Sequence, residues 1–143
     1  MIKEFKELIH HELYDILALR NEVFIVEQNC PYLDIDHKDK DALHLMIYDR
    51  ELVAYLRILD KNVSYDEVSI GRVLVKESHR GQKLGQKIMI EAIEYIKDVM
   101  KEDKIRISAQ AYLKSFYESL GFKCVSDIYL EDDIPHIEML YDM

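Results

Sequence analysis

The chain has 143 residues, a formal net charge of −9, and only four glycines and two prolines. This length suits a single domain, residues 1–143, that buries a core without disulfides, and the composition is globular rather than disordered. The acidic excess argues against a general nucleic-acid binder, because such proteins hold phosphates with surplus lysine and arginine.

No apolar run is long enough to span a bilayer, and the N-terminal residues lack the charged-then-apolar pattern of a secretory signal. Cys30 and Cys124 are too few and too far apart for a disulfide framework or a zinc site. We therefore expect a cytoplasmic protein with no membrane partner, no nucleic-acid partner and no bound metal.

Hydrophobic periodicity predicts the secondary structure. The stripe of the first helix includes Arg20 beside apolar residues. In chain order we predict an edge strand over 1–8, a helix over 12–24, a hairpin of strands over 43–48 and 52–59, a strand over 67–75, a helix over 84–100, a strand over 104–109, a short helix over 113–120, and closing strands over 122–129 and 137–141 that flank an acidic loop over 131–135. This order predicts an α/β (α+β) protein with one central sheet.

Residues 27–41 have no hydrophobic period and form an unusually long predicted loop. Long ordered loops in compact domains are often binding surfaces, although a solvated connection explains the same pattern. Both readings stay open from the sequence.

The strand over 67–75 changes the parity of its apolar residues. Val68 and Ile70 share one parity, whereas Val73 and Val75 share the other. An extra residue near Gly71-Arg72 would keep one face buried, which predicts a β-bulge, although a strand buried on both faces also fits.

A buried strand, Val73-Leu74-Val75, precedes a glycine-containing turn over 80–85 and a long amphipathic helix. The N-terminus of such a helix presents unpaired N–H groups and the positive end of the helix dipole, which together bind anions such as phosphate. Neither a Walker P-loop nor a dinucleotide-binding glycine pattern is present. The spacing alone predicts an anion site, with an ordinary strand–helix turn as the alternative.

The turn Arg80-Gly81-Gln82-Lys83-Leu84-Gly85 resembles the acetyl-CoA-binding motif of the GNAT acetyltransferase superfamily, with Lys83 at the middle glycine position. Ser115 to Phe122 resembles the second signature of that superfamily, a tyrosine in a short helix that ends in Leu-Gly-Phe. The segments 19–36, 70–73 and 134–139 resemble the ElaA-like branch, so the resemblance covers nearly the whole chain.

The resemblance implies a GNAT fold, in which a mixed, mostly antiparallel sheet is flanked by helices and two splayed strands hold acetyl-CoA. The splayed strands would be those that end at Val75 and near Ala109. The implied co-substrate contacts are Val73, Leu74, Val75, Arg80, Gly81, Gln82, Lys83, Leu84, Gly85, Gln86 and Tyr117.

The implied reaction is direct attack of a primary amine on the thioester, with Tyr117 as the acid that protonates the thiolate. Candidates for the base that deprotonates the amine are Glu27, Glu67, Asp34 and His136, because each lies on a predicted loop or strand edge. Covalent catalysis through Cys30 is not expected, since no nucleophile signature surrounds it.

The leading interpretation is an acetyl-CoA-dependent N-acetyltransferase with an unidentified amine acceptor, and the acidic loops favour a cationic one. Two alternatives stay open: a non-catalytic acyl-CoA-binding or regulatory module with the same fold, and a phosphate- or nucleotide-binding protein whose turn only looks similar. A homodimer is an expectation that rests on the resemblance.

Overall fold

The computed structural model describes all 143 residues, with eight strands and three α-helices. The sheet order is β1-β2-β3-β4-β5-β8-β6, with β7 paired to β8, and only the β4–β5 pair is parallel. The strands are β1 (Ile2–Glu4), β2 (Leu43–Asp49), β3 (Glu51–Leu59), β4 (Val68–Val75), β5 (Lys104–Gln110), β6 (Lys123–Cys124), β7 (Tyr129–Glu131) and β8 (Ile134–Asp142); the helices are α1 (His10–Arg20), α2 (Leu84–Asp98) and α3 (Lys114–Ser119). This confirms the predicted fold class.

The sheet is covered by helices on both faces. Helix α2 buries a stripe that includes Ile88, Ala92 and Ile96 against one face, as its period-3.6 pattern predicts. Helix α1 packs Ile16 and Leu19 against the opposite face. Each fully buried isoleucine contributes roughly 1.5–3 kcal/mol, so these two stripes hold both helices on the sheet. None of the helices is both long enough and apolar enough to cross a membrane.

Strand β4 contains the predicted bulge. Tyr55 on β3 lies opposite Leu74, but Arg57 lies opposite Gly71, so β4 has two residues, Arg72 and Val73, where β3 has one. The residue with positive φ is Arg72, at 53°, rather than the neighbouring glycine. The bulge restores the register, which explains the change of parity.

Strands β4 and β5 diverge after two paired residues. They pair only at Val68 with Ile105 and at Ser69 with Arg106. Beyond these pairs β4 continues to Val75 and β5 to Gln110 without meeting. The sheet therefore opens into a V at the carboxyl ends of these two strands, as expected for the splayed pair of the GNAT fold.

Two predicted segments near the N-terminus are wrong in detail. The edge strand over 1–8 ends at Glu4, because the Glu7 carboxylate accepts the Glu4 N–H (2.9 Å) and a 3₁₀ turn follows. Helix α1 starts at His10 and continues from Asn21 to Glu27 as a π-helix, instead of running over 12–24.

The end of the chain also differs from the prediction. The strand over 122–129 is two short strands, β6 and β7, because Ser126 between them leaves the ladder and accepts the Glu138 N–H through its side chain (2.8 Å). The acidic loop over 131–135 is a two-residue turn: Asp132 and Asp133 have positive φ, and Pro135 already belongs to β8.

The long segment after the π-helix is held by a closed set of ion pairs, the charge ring. In it three arginines alternate with three aspartates, and every member contacts two partners. The order is Arg20–Asp34–Arg72–Asp36–Arg57–Asp39 and back to Arg20, with nitrogen–oxygen distances of 2.6–3.4 Å. The segment is therefore not a merely solvated connection.

Candidate functional site

A cleft of about 450 Å³ occupies the V between β4 and β5. Its walls include the β4 residues from Ile70 to Val75 and the β5 residues from Ile107 to Gln110. The diverging edges have no strand between them, so their N–H and C=O groups face the cleft without a ladder partner. An extended ligand with amide groups could bond to them as an added strand does.

A second cleft of about 420 Å³ lies at the N-terminus of α2. It shares Val75, Arg80, Gly85 and Phe116 with the first, so the two are adjoining parts of one groove. The first turn of a helix has N–H groups without a helical acceptor, and here they adjoin the side chains of Arg80 and Lys83. This end of the groove is suited to a phosphate or pyrophosphate.

Lys83, which occupies a glycine position of the motif, is the N-cap of α2 with φ of 60°. A glycine would adopt this left-handed conformation without steric cost, whereas a lysine does so with strain. The turn therefore keeps the backbone shape of the motif despite the substitution. Gly81 also has positive φ, at 83°.

The structure places almost all of the predicted co-substrate residues along the groove. The phosphate-suited cleft is lined by Arg80, Gly81, Lys83, Leu84, Gly85 and Gln86, and the larger cleft by Val73, Leu74, Val75 and Tyr117. Gln82 is the exception, because it lines neither cleft.

Tyr117 lies on α3 with its ring packed edge-on against Phe116 and Phe122. The residue is 7% exposed, lines the larger cleft and has no hydrogen-bond partner in the protein for its hydroxyl. Burial raises the pKa of Tyr117 to about 12, so the phenol stays protonated at neutral pH and can donate a proton.

His136 lies near the start of β8 and is 7% exposed on the same cleft. Its Nδ1 lies 2.7 Å from the Ile134 carbonyl oxygen, which can only accept, so Nδ1 carries the proton in the neutral ring. Nε2 is then a free acceptor, and the Glu131 carboxylate lies 3.4 Å from it. The ring nitrogen that can accept a proton is therefore Nε2, beside the Glu131 carboxylate.

The other candidate bases differ in accessibility. Both carboxylate oxygens of Glu27 bond to Arg80, at 2.6 and 2.9 Å, although Glu27 lines the cleft. Asp34 belongs to the charge ring and Glu67 pairs with Arg106, and neither lines the cleft. The expectation that these last two face the site is therefore not met.

Cys30 is buried at the cleft, where its thiol donates to the Asp132 carbonyl oxygen at 3.3 Å. It thereby ties the segment after the π-helix to the β7–β8 turn, and no histidine bonds to it. No three histidine, cysteine or acidic side chains are arranged to hold a metal ion.

Sequence reasoning did not single out several residues of the cleft. Gln28 accepts a hydrogen bond from Gln110 Nε2 (3.2 Å), and this contact joins the end of the π-helix to the end of β5. Glu131 appeared only as part of an acidic loop. Its pairing with His136 depends on the hairpin turn, for which the two adjacent aspartates were the available signal.

The family described as the Acetyltransferase (GNAT) domain matches residues 12–143. The chain is 44% identical over 144 residues to Protein ElaA of Escherichia coli strain K12, covering 95% of this chain and 94% of that protein. The crystal structure of E. coli ElaA superposes with a TM-score of 0.92 at 43% identity, covering 99% of this chain and 98% of that one.

Two further solved structures are similar. An acyl-CoA N-acyltransferase from Pseudomonas aeruginosa has a TM-score of 0.92 at 41% identity, with 99% of this chain and 97% of that chain covered. An aminoglycoside 6'-N-acetyltransferase complexed with coenzyme A has a TM-score of 0.73 at 16% identity over 99% of this chain and 96% of that chain, a likeness of fold alone. With the splayed strands, the bulge and the groove, these similarities establish that the chain belongs to the GNAT family and is an N-acyltransferase of the ElaA-like branch.

Proposed function

We propose that the protein transfers the acetyl group of acetyl-CoA to a primary amine by direct attack. The observation that carries this proposal is the continuous groove. Its phosphate-suited end at Arg80 and the α2 N-terminus leads into the open V, where a buried phenol and a histidine with a free Nε2 line the same walls.

The donor would lie along the groove with its pyrophosphate at the N-terminus of α2. The pantetheine arm, which carries amide groups, would bond to the unpaired edge of β4. The bulge at Arg72 and Val73 frees N–H groups near the thioester carbonyl, where charge develops as the amine attacks.

The proposed proton transfers use two groups that line the cleft. His136 Nε2 accepts a proton from the ammonium form of the acceptor, and the free amine then attacks the thioester carbon. The tetrahedral intermediate collapses as the carbon–sulfur bond breaks, and the Tyr117 hydroxyl protonates the departing thiolate. The nitrogen gives up its second proton to form the neutral amide, and that proton restores the Tyr117 phenol through solvent. His136 is preferred to Glu27 as the base because an imidazole, unlike a carboxylate, ordinarily exchanges a proton near neutral pH.

Two expectations from the sequence remain proposals. A cytoplasmic location and a homodimer are consistent with an enzyme that uses a metabolic co-substrate, and no contact of this chain bears on either.

The deciding experiment is release of free thiol from acetyl-CoA across a panel of amines, together with calorimetry of CoA binding. We expect thiol release that depends on an amine. The acetylated amine should gain about 42 Da per nitrogen, because one acetyl group replaces one hydrogen. CoA binding without transfer to any amine would instead favour the non-catalytic acyl-CoA-binding module, and absence of CoA binding would overturn both.

A further inference from the structure

Arg80 lies where the two clefts meet, and its side chain is already occupied. Its Nε donates to the Val75 carbonyl oxygen at 3.0 Å, while Nη1 and Nη2 donate to the two oxygens of Glu27 at 2.6 and 2.9 Å. A guanidinium presents the same forked donors to a carboxylate and to a phosphate. Glu27 therefore holds the nitrogens that a pyrophosphate in this cleft would need.

We propose that the pyrophosphate of the donor displaces the Glu27 carboxylate from the Arg80 guanidinium, and that the released carboxylate then binds the ammonium form of the acceptor. The inference rests on the proposed function in its second half, because only a transferase has an amine acceptor. Its first half, the exchange of partners at Arg80, concerns donor binding alone. Glu27 becomes an acceptor-binding residue that is available only after the donor has bound.

Exposure makes the exchange easy. The Arg80 side chain is 41% exposed and that of Glu27 is 32% exposed, so solvent screens their attraction. A bound pyrophosphate would also repel a carboxylate at this distance, which drives Glu27 away from the phosphate-binding end. Both effects favour release of Glu27 when the donor arrives.

The position of Glu27 decides what it meets on release. Glu27 ends the π-helix, and the next residue, Gln28, contacts Gln110 at the end of β5. Gln110 lies opposite His136 in the β5–β8 ladder. The end of the π-helix thus lies near the part of the cleft that contains the proposed base, where an acceptor amine would react.

The balance of charge at the cleft supports a cationic ligand there. Arg72, the other cation of this cleft, is bound to Asp34 and Asp36 in the charge ring. Glu131 and Asp132 also line the cleft, and no lysine or arginine pairs with either. Release of Glu27 adds a third carboxylate to this wall and strengthens its attraction for an ammonium group.

The first test is calorimetry of CoA binding to Glu27→Gln. Loss of the competing carboxylate should tighten CoA binding about two- to five-fold, the range expected for an exposed ion pair. The matched control is Glu67→Gln, which removes one negative charge and a bidentate pair with Arg106 outside both clefts (3.0 and 3.1 Å). CoA affinity should not change in this control. Unchanged or weaker CoA binding by Glu27→Gln would overturn the exchange.

Calorimetry with pantetheine, which lacks the pyrophosphate, tests whether the gain in affinity of Glu27→Gln depends on the pyrophosphate. Its affinity should be the same in the wild type and in Glu27→Gln, because nothing in it competes for Arg80. An equal gain for pantetheine and CoA would assign the effect to the rest of the groove and overturn the exchange.

The second test concerns the acceptor. With the best amine of the panel, Glu27→Gln should raise the KM for the amine several-fold while the rate at saturating amine stays near that of the wild type. A fall in that rate at unchanged KM would contradict the acceptor-binding role. If the wild type transferred no acetyl group, the proposed function would fail, whereas the calorimetry would still decide the exchange.

Discussion

Two sets of arginine–carboxylate contacts, the charge ring and the Arg80–Glu27 pair, differ in how many partners each charge has. In the charge ring every arginine and every aspartate has two partners, and Arg20 is fully buried. At the groove, Arg80 and Glu27 have only each other as charged partners and are partly exposed. The ring is built to stay closed, whereas the pair at the groove can open for a ligand.

The same chemistry therefore gives either a fixed scaffold or an exchangeable contact, depending on burial and on how many partners each charge has. Breaking a buried pair leaves an uncompensated charge in a medium of low dielectric, whereas water solvates the separated charges of an exposed pair. Changes in the ring should therefore affect stability first, and changes in the groove should affect binding and rate.

The largest expected effect follows from opening the ring at its most buried member. Arg20→Met keeps similar volume but leaves Asp34 and Asp39 with one arginine each, so one negative charge is buried without compensation. We expect the free energy of unfolding in urea to fall by about 3–5 kcal/mol. The control Lys76→Met breaks the exposed pair between Lys76 and Glu51 and should cost less than about 1 kcal/mol. If the free energy of unfolding fell no further in Arg20→Met than in the control, the distinction between the two sets would be wrong.

On the groove side, Tyr117→Phe should affect rate rather than stability. The phenol has no hydrogen bond in the protein to lose, but its proton would no longer reach the thiolate. We expect the rate at saturating substrates to fall about 10³-fold, with CoA affinity little changed, as thiol release and calorimetry would show. Tyr112→Phe, an exposed tyrosine at the same cleft, is the control and should keep its rate. An unchanged rate in Tyr117→Phe would remove Tyr117 from the role of acid.

His136→Gln tests the other proton transfer in the same cleft. At neutral pH we expect the rate to fall about 10²-fold, because the ammonium form of the acceptor loses its base. The deficit should shrink as the pH rises, since more of the amine is then already deprotonated in solution. A rate profile from pH 7 to 9.5 measures this. A deficit that stays constant across that range would argue that His136 only holds the cleft in shape.

The ring should also dominate the acid sensitivity of the fold. Burial alone would raise the pKa of Asp36, but hydrogen bonds and charge from Arg57 outweigh it and lower that pKa well below its usual range. A carboxylate with a lowered pKa contributes stability that is complete above its unfolded pKa, about 3.9, and is lost as the pH falls through its folded pKa. The stability advantage of the wild type over Asp36→Asn should therefore be constant from pH 7 to 5 and narrow below pH 4. Urea unfolding at each pH provides the comparison, and an advantage as large at pH 2.5 as at pH 7 would contradict it.

The sequence predicted the groove and the charge ring unequally. The groove followed from local patterns: the parity change before Val73 indicated the bulge, and the motif at Arg80 to Gly85 indicated the phosphate-suited turn. These features depend on residues close together in the chain, so they can be predicted from it.

The charge ring depends on residues from α1, β3, β4 and the segment between, so no local pattern describes it. Arg20 on an apolar helical stripe was the available signal, because a buried arginine requires carboxylates. Residues 27–41 contain the aspartates that pair with Arg20, but this segment was predicted only as an aperiodic loop. The pairing of Glu27 with Arg80 likewise joins residues 53 positions apart.

The smallest expected effect concerns Lys83, where the groove itself stores strain. Lys83→Gly removes a left-handed lysine at the N-cap of α2 and should raise the free energy of unfolding by about 1 kcal/mol. Lys87→Gly, one turn further along the same helix, should lower it by a similar amount because glycine there only weakens the helix. Opposite signs for the same substitution four residues apart would show that backbone strain, rather than loss of a lysine, sets the result. If both variants lost stability, the Lys83 conformation would not be strained, and the groove would differ from the ring in its charge contacts alone.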